Sequence, residues 1–328
     1  MRLMTFLIAT SLLSACAAEK MKVVREEHHW GMADASAGIA VGTNLFLAAD
    51  DESNLIALYR REGGEKPVKE FDFSAFLELE GKHPETDTEA CARIGDRVYW
   101  MGSHGRNKDG KPRPNRCRLF ATDLSITNGD ISLSPSGKPC KRLLDDLAAD
   151  ERYAQFKLRK AAELAPKAEE GLNIEGLAAT PEGHLLVGFR NPVPNGKALL
   201  APVLNPAEVI EGTAAKFAGP VLLDLQGNGI RDIVFYAGSY LIIAGSWHSG
   251  GHYEIYRWQG GESRPEPMKV KHLDDYNPEG LVIYPDKGLT EFQVLSDDGR
   301  LDVEGVPGKE VTGMSRKSFR SFWVVPAQ

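Results

Sequence analysis

Ser36, Glu89, Glu175, Asp232 and Glu279 each stand third in a phrase that the chain writes five times. The copies read DASAGIAVGTNLFLAAD from Asp34, DTEACARIGDRVYWMGSH from Asp87 and NIEGLAATPEGHLLVGFR from Asn173. The other two read IRDIVFYAGSYLIIAGSW from Ile230 and NPEGLVIYPDKGLTEFQVLSDD from Asn277. If each phrase takes the same place in a repeated unit, Glu89, Glu175 and Glu279 converge with the carboxamides of Asn173 and Asn277. Oxygen-rich sets of this kind suit calcium, a hard cation that takes about six to eight oxygen ligands. Soft-ligand metals are not indicated, since no CxxC or Cys/His spacing for zinc occurs. A structural reading competes with the metal. Buried carboxylates need partners, and Arg106, Arg190 and Arg231 lie on the same segments of the repeat.

Three further constellations could carry chemistry. His104 and His248 follow matching strands, in GSH and GSWH, as a pair for acid–base work or a hydrogen-bonded structural pair. The polar stretch SHGRNKDGKPRPNR, residues 103–116, brings one histidine and three arginines to the same rim. Arginine forks match carboxylate and phosphate geometry, and a solvated hairpin loop is the alternative. DLQGNGIRD offers oxygens from Asp224, Gln226, Asn228 and Asp232 at loop positions one, three, five and nine, with Gly229 between. That is an alternative calcium loop or, equally, a Gly/Asn turn. No GxSxG elbow, phosphate-binding glycine loop or HExxH stretch is present.

The elements that must position these residues are hairpins. Each phrase has two β-rich runs around a short turn carrying Gly, Asn or Asp. The third-place residues are 53, 86, 57 and 47 positions apart, spacings that mostly suit one four-stranded blade. The expected fold is all-β, a β-propeller of five blades, or six if the long interval hides a degenerate one. Strands are predicted at 37–41, 44–49, 55–60 and 67–71, then 90–94, 97–102, 117–123 and near 131. The third blade takes 176–180, 184–189, 198–204 and 220–225, and the fourth 232–236, 240–245, 253–258 and 268–273. The fifth takes 280–284 and 291–296, with weaker outer strands at 301–303 and 322–325. Residues 141–170 repeat Leu, Tyr and Phe at helical intervals and are predicted as a helix or helical hairpin. Val23 and Val24 supply an outer strand that closes the ring against the last blade. Starts of first strands and ends of second strands meet at one channel mouth, which collects the acids and arginines.

The opening MRLMTFLIATSLLSAC has Arg2, a short apolar run and Cys16 between small residues. It is too short to span a bilayer, which takes about 20 apolar residues. It resembles a bacterial lipoprotein signal, which implies removal of residues 1–15, lipid on Cys16, a tether over 16–22 and one propeller domain over 23–328. The expected location is the periplasm, membrane-anchored by lipid, with Ala17 pointing to the outer membrane. A simple secretory signal cut near Ala15 or Ala18 is the alternative. The net charge of −7 argues against nucleic acid as a partner. Of the remaining cysteines, Cys91 is expected to be a buried apolar residue, and Cys117 and Cys140 to form a disulfide.

DTEACA, YWMGSHGR, LNIEGLA, VGFRNP, GNGIRD, YLIIAGS and NPEGLV together resemble the bacterial domain of unknown function 3616. The EGL phrase is also similar to esterase-like phytase-type proteins and to calcium-dependent lactonase and phosphotriesterase propellers. That resemblance implies catalytic calcium on acidic residues at the channel mouth, falling on Glu89, Glu175 and Glu279. The reading from sequence is a binding module for a small or anionic ligand, with calcium as the expected ion. The alternative is a calcium-assisted hydrolase of an ester, lactone or phosphoester.

Overall fold

Apolar residues alternating with polar ones, punctuated by turn glycines, fold the repeats into antiparallel sheets. Gly42 and Gly95, at φ 65° and 64°, make the first two hairpin turns in a conformation that glycine enters at no steric cost. The computed structural model describes residues 18–63, 65–248 and 250–327. Cys16 and the leader lie outside the described residues.

The first strand, β1 (Lys20–Trp30), precedes four that form a sheet in chain order: β2 (Ala35–Val41), β3 (Leu45–Asp50), β4 (Leu55–Arg60) and β5 (Lys69–Asp72). A second sheet holds β6 (Thr88–Ile94), β7 (Arg97–Gly102), β8 (Leu119–Thr127) and β9 (Asp130–Cys140). A third holds β10 (Asn173–Ala179), β11 (Leu185–Asn191), β12 (Ala198–Val203) and β13 (Val221–Leu223). Next come β14 (Gly229–Tyr236), β15 (Ser239–Gly245), β16 (Glu254–Trp258) and β17 (Glu266–Lys271). The last strands are β18 (Pro278–Val282), β19 (Phe292–Ser296), β20 (Asp302–Val303), β21 (Val306–Pro307) and β22 (Ser318–Pro326). They form an eight-stranded sheet in the order β14-β15-β16-β17-β1-β22-β19-β18, with β20 and β21 apart as a small ribbon. Two antiparallel runs of four make up that sheet, joined where β1 runs parallel to β17 over Lys20–Lys22.

The innermost strands form a closed round, with β2 beside β6, β6 beside β10, β10 beside β14, β14 beside β18 and β18 beside β2. Apolar clusters fill the spaces between neighbouring sheets. Leu47 and Leu58 meet Trp100 and Phe120, Ile174 and Phe189 meet Leu119, and Leu186 and Leu200 meet Ile242 and Trp258. Ile243 and Ile255 meet Val294 and Phe322, and Tyr284 and Leu295 meet Phe46 and Tyr59. The architecture is all-β and propeller-like.

Three expectations change. The outer strand of the last run is not 301–303, which pairs only with β21; β22 lies third and β1 fourth. β1 supplies the closing strand expected from Val23, pairing with β22 from Met21↔Pro326 to Trp30↔Ser318 with a one-residue slip at Val24. It begins at Lys20, so the tether ends before the 16–22 stretch does. The segment 141–170 is helical but broken into α1 (Leu143–Ala149), a 3-10 turn at Glu151–Phe156 and α2 (Leu158–Ala161), because Asp150 leaves the helical conformation and Lys157 is left-handed. A third short helix, α3 (Pro206–Ile210), follows β12.

The Cys117–Cys140 disulfide is not formed; Cys91, Cys117 and Cys140 are free thiols. Cys140 pairs with Leu119, and Cys117 caps a 3-10 turn at Pro114–Arg116 instead of extending β8, so the two do not face each other across the ladder. Cys91 is buried, as expected. Among the described residues no helix is long and apolar enough to cross a membrane.

Candidate functional site

Every inner hairpin slips register by one residue at the same place. The unpaired residue is Ser36 in β2, Glu89 in β6, Glu175 in β10, Arg231 in β14 and Glu279 in β18. A β-bulge of this kind re-aims one side chain and strengthens the local twist. The position equivalent to the glutamates in β14 is therefore Arg231, one residue before the aspartate that the phrase alignment selects. Asp232 does a different job. Its carboxylate accepts from the amides of Ile233 (2.7 Å) and Leu281 (2.6 Å) and so ties β14 to β18. Ser36 likewise donates its hydroxyl to the Thr88 carbonyl, tying β2 to β6.

On one side of the mouth the bulges build an arginine pole. Arg190 Nη1 donates to Glu175 Oε1 (2.8 Å), and Arg231 Nη1 lies 3.2 Å from Glu175 Oε2. Arg231 Nη2 contacts Glu279 Oε1, so one guanidinium joins the three neighbouring inner strands β10, β14 and β18. Burial raises the Glu175 pKa, but Arg190 and Arg231 outweigh it and hold the carboxyl below its ordinary value. Asn173 donates to Glu175 and Asn277 to Glu279, each carboxamide orienting the glutamate two residues on. Tyr253 donates to Asn277 Oδ1. Lys167, Arg190, Arg231, Arg300, Tyr253 and His248 surround a cavity of about 50 Å³. Burial and the neighbouring arginines lower the Lys167 amine to about 8.

The other side is an acidic pole. Where the third and fifth phrases have Asn, the second has Asp87, so Glu89 gains a second carboxylate instead of an amide donor. Oxygens of Asp51, Asp87 and Glu89 lie within 4.8 Å of one another, as do those of Asp34, Asp51 and Glu52. Arg116 Nη1 donates to Asp87 (2.9 Å), and Asp51 Oδ1 and Asp34 Oδ2 are buried without a hydrogen-bond partner. Burial first, then Glu175 and Asp87, push Glu89 well above the carboxylate range. Burial with Asp34 and Glu89 does the same to Asp51, and burial with Asp297 and Asp50 raises Asp34 to about 9.

The remaining predicted residues fall elsewhere. Arg106 donates to the carbonyls of Ala162 (2.8 Å) and Gly110 (3.0 Å), pinning its own loop to the helical insertion instead of entering the mouth. Arg113 and Arg116 of the same loop pair with Glu85 and Asp87. His104 and His248 do not meet. His104 is buried, bonds Gly102 O through Nδ1, and burial holds its pKa down to about 4. His248 lies exposed at the arginine pole against Trp247, with ring centroids 5.0 Å apart. The Asp224, Gln226, Asn228 and Asp232 loop does not gather its oxygens. Asp224 closes an Asx turn onto the Gln226 amide, while Asp232 is spent on β18. Gly229 is required by crowding, since a Cβ there would meet Arg190 O at 1.9 Å.

Sequence reasoning passed over Asp51 and Asp87 as ligands and Lys167 altogether. Asp87 had a signal in DTE against NIE and NPE, and Asp51 in the double acid ending β3. Lys167 had none, because the helical insertion brings it to the mouth: Asn191 donates to the carbonyls of Pro166 and Ala168 on either side of it.

Fold and mouth together define an all-β, propeller-like protein with a polarised channel entrance. The chain belongs to the DUF3616 family, proteins of unknown function, whose model matches residues 34–123 and 131–282. No curated protein sequence matches it. Among solved structures, a glucose dehydrogenase-type oxidoreductase from Thermus thermophilus is 14% identical, covering 91% of this chain and 99% of its own at TM-score 0.45. The PQQ-bound aldose sugar dehydrogenase of Streptomyces coelicolor is 11% identical, covering 92% and 98% at TM-score 0.44. Virginiamycin B lyase from Staphylococcus aureus is 7% identical, covering 92% and 99% at TM-score 0.37. At these levels none of their activities transfers to this chain.

The acidic pole fixes the sign of a pH effect. Asp34, Asp51 and Glu89 have higher pKa values folded than unfolded, so the folded chain binds more protons and loses stability as pH rises. His104 opposes this below its unfolded pKa of about 6.5, and Lys167 opposes it above its folded value of about 8. In chelator the melting temperature should therefore fall between about pH 6.5 and 8, and less steeply in Asp34→Asn. A flat or rising profile in the wild type would mean that the acids ionise without strain.

Proposed function

We propose that the chain is a five-bladed propeller whose mouth binds a divalent cation of the calcium type and, beside it, a small anionic ligand. Three four-stranded sheets, two further four-stranded runs and a closed round of inner strands support the blade number. The observation that carries the binding reading is the trio Asp51, Asp87 and Glu89, three carboxylates within 4.8 Å of one another, with Arg190 and Arg231 close enough to act on Glu89. Such a trio is costly without a counter-charge, and its all-oxygen chemistry fits a hard cation. The ligand set differs from the three glutamates expected from sequence, because Glu175 and Glu279 are already neutralised by arginine. With Glu89 on a cation and the guanidiniums beside it, a carboxylate or phosphate group is held by both charges at once.

Calcium binds only the folded state on this reading. At a hundredfold excess over the dissociation constant it adds about 2.7 kcal/mol, a few degrees of melting temperature. Glu89→Gln and Asp51→Asn should each shrink that shift, whereas Glu175→Gln and Asp224→Asn should keep it. Identical melting in calcium and chelator would remove the cation from the site.

A second reading, the calcium-assisted hydrolase of an ester, lactone or phosphoester, is favoured by Lys167. Its amine lines the anion cavity with a pKa of about 8, which suits a proton acceptor in mildly alkaline solution. Turnover of generic esters, lactones or phosphoesters should then need calcium and rise towards pH 8, and Lys167→Met should abolish the rise. No calcium-dependent turnover of any of the three classes leaves the binding module alone.

We place the protein in the periplasm, lipid-anchored through Cys16, on the strength of the leader sequence. Cys16→Ser should release it from the membrane fraction, and unchanged membrane-bound protein of mature size would rule out that anchor.

A further inference from the structure

We propose that the mouth holds two cations, the second bound by Asp34 and Glu52 and joined to the first through a shared Asp51. The inference rests on the reading above for the first ion and adds a second with its own ligands.

Asp51 belongs to both carboxylate groups, with Asp87 and Glu89 on one side and Asp34 and Glu52 on the other. Its amide donates to the Asp34 carbonyl (3.2 Å), which fixes the start of β2 against the residue after β3. Asp34 is only 3% exposed, yet its Oδ2 has no hydrogen-bond partner. Asp51 Oδ1 is orphaned in the same way. Two buried carboxylate oxygens of this cluster therefore have nothing to satisfy them, a condition that native proteins avoid unless a ligand completes the site. The backbone leaves room for this arrangement at Gly299, where a Cβ would come within 1.6 Å of Asp34 Oδ1.

The charges facing Asp34 are overwhelmingly negative. Asp297, Asp50 and Glu52 all raise its proton affinity, and Lys309 alone opposes them. Lys309 Nζ lies 2.6 Å from Glu52 Oε1, so one ammonium serves a group of acids. Arg116 serves Asp87 and does not bond Asp34 or Glu52. An oxygen-only group with one monovalent partner fits a hard divalent ion, and a carboxylate common to two such groups is the means by which paired ions are held close together.

Equilibrium dialysis of the purified protein against calcium counts the ions. The wild type should bind two per chain. Asp34→Asn and Glu52→Gln should each bind one, retaining the site that Glu89→Gln removes, and Asp51→Asn should weaken both by about a hundredfold. Glu52 is exposed, so its variant serves if Asp34→Asn does not fold, and melting curves in chelator check each protein. Lys309→Met should leave two ions and tighten the weaker by about tenfold, an effect expected only if calcium competes with the ammonium. One calcium in the wild type, still bound by Asp34→Asn and lost in Glu89→Gln, overturns the second site and leaves the first. One calcium lost in Asp34→Asn and kept by Glu89→Gln overturns the pair and the first site together. No calcium at all overturns both.

Discussion

The unpaired residue in each inner hairpin is the constraint on which the rest of this molecule depends. A regular ladder would turn alternate side chains towards the two neighbouring sheets, where apolar residues belong. One extra residue near the start of the first strand breaks that alternation locally and sends a single polar side chain towards the axis. Five repetitions of the slip deliver Ser36, Glu89, Glu175, Arg231 and Glu279 to one mouth, while the apolar faces beyond it stay in register for packing. The polar entrance and the dry interior are thus two results of the same offset.

Substitution within that frame gives the mouth its polarity. Arginine at the fourth bulge neutralises the glutamates on either side, and asparagines at the preceding positions orient them. On the far side the bulge holds only a serine or a glutamate, and the residue two places before it is acidic in both phrases. Burial then acts in opposite directions on the two poles. It strengthens the paired Glu175–Arg190 contact and penalises the unpaired carboxyls of Asp51 and Glu89.

Much of the fold could be read from sequence because it rests on local signals. Alternation and turn chemistry located every inner hairpin, and Val23 pointed to the closing strand. Of the last outer strands, 322–325 falls within β22, but 301–303 was misplaced because residues 297–317 carry little periodicity and the fourth place is taken by β1 from the other chain end. For the site, residue types were legible and partners were not. The phrase alignment favoured Asp232 over Arg231 because a one-residue bulge offset leaves no mark in a polar-apolar pattern. Arg106 looked equivalent to Arg190, yet its loop turns away to meet the carbonyl of Ala162. Lys167 became visible only through the path of the helical insertion. Such outcomes depend on tertiary placement, which spacing along the chain does not encode.

The pairing of β1 with β22 bears on how the protein is made. The seam brings together residues almost a full chain length apart, from Met21 with Pro326 to Trp30 with Ser318. Closing so long a loop is entropically costly, and no contact within the seam can form until the last strand exists. A chain emerging from its N-terminus must therefore carry most of β1 as an unpaired, sheet-forming edge until β22 is made, since only Lys20–Lys22 can pair earlier, against β17. Its sequence KMKVVREEHHW, with five charged side chains among eleven residues, is suited to that wait. The strand that seals the ring is written so that it does not stick to other chains before its partner arrives.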